Sequence, residues 1–237
     1  MDVVGCGCMG FSFTSKYKFA IISLSNMINE LGSIGVIDYQ DLQSRIANKG
    51  ISAESEIRMI IPFLVKANVI NENNCIKTST GSRIRKFVID EKFFTDQGIE
   101  FIKVLQLECN KKSTNDTEVI EKIDALYHKA GMYLFLSLCK SSDYIYRELF
   151  FFLKKYKTID KNEFYLLTNS YENSQMDKLS DLIDNYRKGK IGEIKIIRNV
   201  NDWQYLMSTL QQFGLITLDE KRYMLTKDAM RLEIGNE

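Results

Sequence analysis

Two residues in the second half of the chain have the spacing of a metal-dependent nuclease. Glu193 and Lys195 lie in the segment GEIKI. In such enzymes a strand presents a Glu-x-Lys pair to a metal ion and its bound water. The site also needs an aspartate at the end of a neighbouring strand, whereas Asp181 and Asp184 fall on a predicted helix. An ordinary amphipathic strand is therefore the favoured interpretation, and the nuclease is a minor alternative.

Other catalytic chemistry has few residues to support it. The 237 residues include one histidine, His128, so a zinc site would depend on Cys and carboxylate ligands and a Ser-His-Asp triad on this single base. The five cysteines contain no Cys-x-x-Cys pair, which favours free thiols in a reducing cytosol. We therefore predict a cytoplasmic protein that is not an enzyme and uses neither a cofactor nor a metal.

Positive charge is concentrated in two segments, although the net charge of the chain is only +1. Clusters of this kind can bind the backbone of double-stranded DNA without reading its bases. Alternatively, they are solvated faces balanced by nearby carboxylates, which is the commoner case for a run of charges. The candidate DNA-backbone residues are Lys77, Arg83, Arg85 and Lys86 in the first segment, and Arg187, Lys188, Lys190, Lys195 and Arg198 in the second.

The elements that must position these residues are mostly helices, because apolar residues recur at spacings of three and four. The single proline, Pro62, predicts a kink or break in the third helix. Asp38 with Asp41, and Asp160 with Glu163, have the spacing of a capping box and predict helix starts. The predicted helices span about 16–31, 38–48, 52–67, 80–89, 98–110, 119–139, 143–156, 201–213 and 227–233, with two more after Asp160 and before Gly189.

Short strands and polar stretches complete this organisation. Segments 69–78 and 215–226 each predict a β-hairpin, and 193–197 predicts a single strand. The polar stretch 110–117 is the preferred boundary between two halves. The predicted domains are a disordered tail over 1–15, a first domain over 16–110, a linker and connecting helix over 111–142, and a second domain with a helix-strand insertion over 143–237.

The two halves of the chain are similar to each other. VIDYQDL (36–42) aligns with TIDKNEF (158–164), and residues 63–78 align with residues 209–225, so that Ile76 corresponds to Tyr223. In both halves the predicted order is helix, capped helix, amphipathic helix, hairpin and terminal helix. This pattern indicates one fold used twice. The alternative is that short capped helices and hairpins resemble each other by chance.

This order of elements resembles a winged-helix domain. Residues 213–232 (FGLITLDEKRYMLTKDAMRL) resemble the wing end of many bacterial winged-helix proteins. Over about 17–90 and 143–234 the chain resembles tandem winged-helix proteins, in particular MukE-like, kleisin-interacting accessory subunits of SMC complexes and similar small subunits of bacterial defence systems. The resemblance implies a mainly α fold in which two winged-helix units, each a helix-turn-helix plus a short β-hairpin, are joined by a helical middle.

The helices at 52–67 and 201–213 would occupy the recognition-helix positions of such units. The first has only Arg58 and Lys66 as cations and the second has none, although DNA readers surround this helix with phosphate-binding Lys and Arg. We therefore predict a non-catalytic adaptor that docks an SMC-like ATPase or nuclease complex in bacteria, for example in antiviral defence, and also contacts DNA.

The predicted docking surface is apolar. Its candidate residues are Ile145, Leu149, Phe150 and Phe151 on the helix 143–156, together with Trp203. A winged-helix transcription regulator that uses the basic clusters is the main alternative, and a nuclease that uses Glu193 and Lys195 is the third. No membrane partner is predicted, and a homodimer is left open.

Overall fold

The computed structural model describes residues 1–7, 13–81, 83–141 and 143–234, and it divides the chain into two compact units. We call Phe13–Leu138 the inserted unit, because it interrupts the other one in sequence. The split unit combines Met1–Ser12 with Cys139–Glu237. This division differs from the predicted one, because residues 111–138 belong to the inserted unit and the first residues belong to the split unit.

The described residues are mainly helical, as predicted. The helices, in chain order, are α1 (Ser15–Leu31), α2 (Tyr39–Asn48), α3 (Glu54–Lys66), α4 (Asp96–Asn110), α5 (Thr117–Lys140), α6 (Tyr144–Tyr156), α7 (Lys161–Glu172), α8 (Leu179–Arg187), α9 (Asp202–Gln212) and α10 (Lys227–Met230). The strands are β1 (Asp2–Val4), β2 (Gly35–Asp38), β3 (Cys75–Lys77), β4 (Ile84–Ile89), β5 (Thr158–Ile159), β6 (Lys195–Arg198), β7 (Ile216–Asp219) and β8 (Arg222–Leu225). None of these helices has the length and apolar character needed to cross a membrane.

The inserted unit has a three-stranded antiparallel sheet in the order β2-β4-β3. Phe87 in β4 lies opposite Ile37 and Cys75, and it is fully buried. The Tyr39 ring at the start of α2 packs edge-on against Phe87, with ring centroids 5.6 Å apart. Buried aliphatic residues of α2 and α3, such as Leu42 and Leu64, complete this core.

The predicted helix over 80–89 is wrong, because residues 84–89 form β4. Phe87 and Ile89 alternate toward the core, and β4 has a strand partner on each side. The hairpin predicted over 69–78 is therefore also misplaced along the chain. Its two strands are β3 and β4, which the turn 78–83 connects. The buried residues of β4 alternate with period two, which is typical of a strand and not of a helix over 80–89.

Two local predictions about helix ends also change. The predicted break at Pro62 does not occur, because α3 continues through it with Ile61 and Phe63 buried on either side. Asp38 precedes α2 but forms no side-chain capping bond with the described residues, and its carboxylate lies 3.7 Å from Lys86 Nζ. By contrast, the capping box of α7 is confirmed, because the N–H of Glu163 donates to Asp160 Oδ1 at 2.9 Å.

The predicted linker is a helix of the inserted unit. Lys111 Nζ, just after α4, lies 2.6 Å from Asp124 Oδ1 of α5. Lys18 of α1 lies 3.3 Å from Glu108 Oε1 of α4 and 4.4 Å from the centroid of the Tyr127 ring of α5. These contacts join α1, α4 and α5 through an ionic cluster in which Lys18 and Glu108 are largely buried.

Helix α4 passes very close to the backbone that follows α3. Thr95, its N-cap, accepts a hydrogen bond of 2.9 Å from the N–H of Gly98 and donates one of 2.5 Å to the Asn68 carbonyl oxygen. A Cβ atom on Gly98 would lie 2.2 Å from the Val69 carbonyl oxygen. Only glycine fits this crossing without moving one of the two backbones.

The split unit repeats the order of elements seen in the inserted unit. Its sheet has the order β5-β8-β7, which matches β2-β4-β3 strand for strand, and α8 with β6 is inserted between α7 and α9. Ile159 lies opposite Tyr223 as Ile37 lies opposite Phe87. The predicted correspondence of Ile76 with Tyr223 is therefore wrong, because Tyr223 occupies the position of Phe87 in the middle strand.

The first residues of the chain are part of the split unit. β1 pairs in parallel with β6, and Val3 is fully buried. The Thr168 hydroxyl donates to the Val4 carbonyl oxygen at 2.7 Å, and the N–H of Gly7 donates to Asp202 Oδ2 at 2.8 Å. The predicted disorder of the tail is therefore wrong for residues 2–4, while residues 8–12 of that tail lie outside the described residues.

Candidate nucleic-acid and partner interfaces

The hairpin of β3 and β4 gathers the first group of candidate DNA-contacting cations. Its turn is closed by a hydrogen bond of 2.8 Å from the N–H of Thr78 to the Arg83 carbonyl oxygen. Gly81 has a φ of +70°, in the left-handed region that glycine adopts without strain. The tip therefore presents hydroxyl side chains from Thr78 to Thr80 next to arginine, and both kinds of group bind phosphate oxygens.

The four cations of this hairpin differ in their surroundings. Lys77 is hydrogen-bonded to Glu72, and this bond raises the pKa of the lysine. Lys86 lies near Asp38 across the sheet. Arg83 and Arg85 are exposed, and within the described ranges no carboxylate lies close enough to pair with either. These two arginines are the best-placed candidates for phosphate contacts in the inserted unit.

Helix α3 offers little positive charge beside this hairpin. Its first turn carries Glu54 and Glu56, and Glu56 is bonded to Lys16 and to the Ser52 hydroxyl. The bond from Lys16 is the main reason that the pKa of Glu56 is lowered, so this carboxylate stays charged. An acidic first turn repels phosphate, so α3 is unsuited to entering a DNA groove.

The second group of candidate cations is divided by the structure. Arg187 Nε donates to Glu163 Oε1 at 2.6 Å, and its Nη2 donates to the Thr158 carbonyl oxygen at 2.9 Å. The guanidinium of Arg187 is held by groups of the split unit, so Arg187 is a less favourable candidate for a DNA contact than the unpaired cations of this group. Lys188 lies 4.0 Å from Asp184. The remaining members are exposed, and the described residues provide no carboxylate partner for them: Lys190, Lys195 and Arg198.

Glu163 is a fully buried carboxylate on which two arginines converge. Arg187 binds one of its oxygens, and Arg222 pairs with the other. Arg222 Nη1 also lies 2.8 Å from Asp160 Oδ2, and its Nε donates to the Thr158 hydroxyl at 2.9 Å. The network thus connects β5, the start of α7, the end of α8 and β8.

The sequence alone did not identify this network, although it identified its centre. The spacing of Asp160 and Glu163 predicted a capping box, and the box forms. The arginines come from 24 and 59 residues further along the chain, so no local pattern connects them with Glu163. The one available signal was Arg222 at the start of the second strand of the predicted hairpin, next to its turn.

A cleft of about 450 Å³ lies along the exposed face of α9. The Trp203 and Tyr223 rings contribute to it, and their centroids lie 5.5 Å apart in an edge-to-face arrangement. The amide side chains of Gln204 and Gln211 line it as well, and Lys161 is the one charged residue among those that form it. With Lys161 as its single cation, this face has less positive charge than a DNA reader uses, so it suits an uncharged or weakly charged partner.

Three of the five predicted docking residues belong to the core. Ile145, Leu149 and Phe150 are at most 2% exposed, so their prediction as docking residues is wrong. Arg147, Glu148, Lys154 and Lys155 mark the polar side of α6, and its apolar stripe, which includes Ile145, Leu149 and Leu153, is the buried face. Phe151 and Trp203 are partly exposed and stay candidates for partner contact.

The residues of the nuclease hypothesis do not form a shared cluster. Glu193 lies in the exposed turn before β6, and Lys195 is exposed on that strand. Asp181 and Asp184 lie on α8, as predicted. In the part of the chain that the structure describes, no group of three or more His, Cys, Asp or Glu side chains is placed to hold a metal ion.

Comparison with known proteins adds no relative to this description. No protein-family model matches the chain, and no curated protein and no solved structure is significantly similar to it.

Proposed function

We propose that the chain is a non-catalytic adaptor of two winged-helix units, which docks a protein partner of a bacterial DNA-acting complex and contacts the DNA backbone. The repeated order helix, strand, helix, helix, strand, strand supports the winged-helix assignment. The shared sheet order, with the last strand in the middle, supports it further. In such a unit α3 and α9 take the recognition-helix position, and the hairpins take the position of the wing.

The difference between the two hairpins is the observation that carries this proposal. In the inserted unit the exposed Arg83 ends the turn 78–83, and the exposed Arg85 follows on β4. In the split unit β7 ends at Asp219, the turn consists of Glu220 and Lys221, whose charges offset each other, and the arginine that follows is paired with Glu163. One hairpin therefore suits phosphate contact and the other does not, which favours a division of labour between DNA and a protein partner.

The charge of the recognition-type helices supports an adaptor over a sequence-reading regulator. Helix α9 contains neither Lys nor Arg, and the first turn of α3 is acidic. Contacts to the backbone alone give affinity without sequence preference. An adaptor that is held on DNA by its partner, an SMC-like ATPase or a nuclease, needs only such contacts to the DNA backbone.

DNA binding through the first hairpin is expected to weaken when its two free arginines are reversed in charge. The double variant Arg83→Glu and Arg85→Glu should bind a random-sequence duplex about tenfold more weakly at about 100 mM salt. The slope of log affinity against log salt should fall by about 2, since each lost phosphate contact removes about 0.9. Fluorescence anisotropy measures both quantities.

The matched control reverses two exposed lysines of α5, Lys122 and Lys129, and so gives the same change of net charge. This control should leave the affinity within about twofold, because solvated charges far from a bound phosphate are screened. Equal losses in both double variants would mean that only net charge matters and would contradict a role for the hairpin. A clear preference for one DNA sequence would favour the regulator instead.

The adaptor function itself predicts a stable protein complex. When the chain is expressed with its neighbouring genes, we expect one of their products to co-elute with it in size-exclusion chromatography after nuclease treatment. The purified chain alone should show no Mg²⁺-dependent cleavage of DNA, and Glu193→Gln should leave the complex unchanged. Cleavage that Glu193→Gln abolishes would contradict the non-catalytic assignment.

A further inference from the structure

The strand β6 has a strand partner on one edge only. β1 pairs with it in parallel, and no other strand of the described residues joins this sheet. An edge strand presents alternate backbone N–H and C=O groups that no neighbouring strand satisfies. The free edge of β6 can therefore form backbone hydrogen bonds with one more extended segment.

The side chains around this edge combine positive charge with aliphatic surface. Lys195 and Arg198 are exposed, and Ile197 and Val200 are 49% and 51% exposed. The segment 188–200 has four Lys or Arg residues against one Glu. Exposed lysine is one of the features that protect a strand edge from unwanted pairing, and the exposed Ile197 and Val200 side chains add apolar surface beside this edge.

The exposed side chains along β6 define which side chains an added neighbouring strand must carry. Lys195 and Ile197 are exposed, and Ile196 between them is partly buried, so the two exposed side chains lie on the same face of β6; the pairing with β1 shifts register at Ile197. Side chains of an added strand would stand directly opposite them at about 5 Å. A carboxylate suits Lys195 and an aliphatic side chain suits Ile197, whereas a DNA backbone offers phosphate for the lysine and little apolar surface for the isoleucine.

We propose that β6 binds an extended segment of a partner protein by strand addition, and that this segment has an acidic residue two positions from an aliphatic one. Backbone hydrogen bonds along the edge provide affinity, and the pair formed by Lys195 and Ile197 provides specificity. This inference rests on the proposed adaptor function and gives the chemistry of the protein partner.

A peptide selection on the full chain tests the inference. Random heptapeptides displayed on phage are selected against the immobilised protein, and the enriched peptides are measured by fluorescence anisotropy. We expect enrichment of Asp or Glu two positions from Val, Ile or Leu. Lys195→Glu should weaken their binding about tenfold, whereas Lys221→Glu, an equal charge change in the exposed turn between β7 and β8, should alter it less than about twofold.

A charge swap separates a direct contact from a loss of folding. A peptide whose acidic residue is replaced by Lys should regain binding to the Lys195→Glu variant. Failure to enrich peptides of this pattern, equal effects of Lys195→Glu and Lys221→Glu, or no recovery in the charge swap would each overturn the proposal. If Lys195→Glu weakens binding of random duplex DNA and not of peptide, the surface contacts DNA instead. Loss of DNA binding through Arg83 and Arg85 is measured separately and does not affect these outcomes.

Discussion

Replacing Glu163 by Gln should lower the free energy of unfolding of the split unit by about 3 kcal/mol. The carboxylate is fully buried; Arg187 depends on it for its opposite charge, and Arg222 shares its charge between Glu163 and Asp160. Removing one partner from a buried ion pair leaves charge without compensation and costs about 3–5 kcal/mol. The lower value of this cost, about 3 kcal/mol, applies to Glu163, because each arginine side chain keeps 33% of its surface exposed.

Gln at this position isolates the effect of charge. It still serves as the third residue of a capping box, so the start of α7 keeps its backbone contacts. Trp203 is the only tryptophan, and its fluorescence therefore follows urea unfolding of the split unit. Glu193→Gln, at an exposed carboxylate of the same unit, should change stability by less than about 0.5 kcal/mol. A decrease in the free energy of unfolding of less than about 1 kcal/mol for Glu163→Gln would show that the ionic network adds little to the stability of the split unit.

The substitution Gly98→Ala should destabilise the inserted unit by about 2 kcal/mol. In an ordinary helix the same change is stabilising by about 1 kcal/mol, because Ala is the better helix former. Here the new Cβ would lie 2.2 Å from the Val69 carbonyl oxygen and 2.8 Å from its carbonyl carbon. Both are backbone atoms, so relief requires a shift of α4 or of the segment after α3.

Gly192→Ala is the matched control for this substitution. A Cβ there meets no described atom within 4 Å, and the residue is outside the left-handed region. It should be neutral or raise the free energy of unfolding by up to about 1 kcal/mol. Thermal unfolding followed by far-UV circular dichroism gives the comparison. An increase in stability for Gly98→Ala would contradict the close crossing.

The sequence predicted the long helices and the second hairpin well. The stripes at 98–110, 119–139 and 143–156 correspond to α4, α5 and α6, and residues 216–225 form the predicted hairpin. These elements have strong local signals, namely a periodic apolar face or a polar turn between apolar runs. By contrast, β1 and β4 were missed, because a short strand is defined by its partners, and those of β1 lie more than 190 residues away.

The candidate interfaces were predicted less well than the helices, for a related reason. Cations are visible in a sequence, but the carboxylates that neutralise them are distant along the chain, as Arg187 and Glu163 show. The apolar stripe of α6 is visible in the sequence, but the sequence does not show that this stripe packs in the core of the same chain instead of against a partner. Arg83 and Arg85 were predicted as candidates and stay so, since their hairpin places both in solvent.

The pairing of β1 with β6 has a consequence for the order in which the chain is assembled. On the ribosome, residues 2–4 emerge before the inserted unit, yet the strand they join is synthesised only after the whole of the inserted unit. The inserted unit is continuous in sequence, so it can form its core while β1 is still unpaired. Synthesis and folding therefore run in opposite order for this segment, and closing the parallel pair is a late, long-range step.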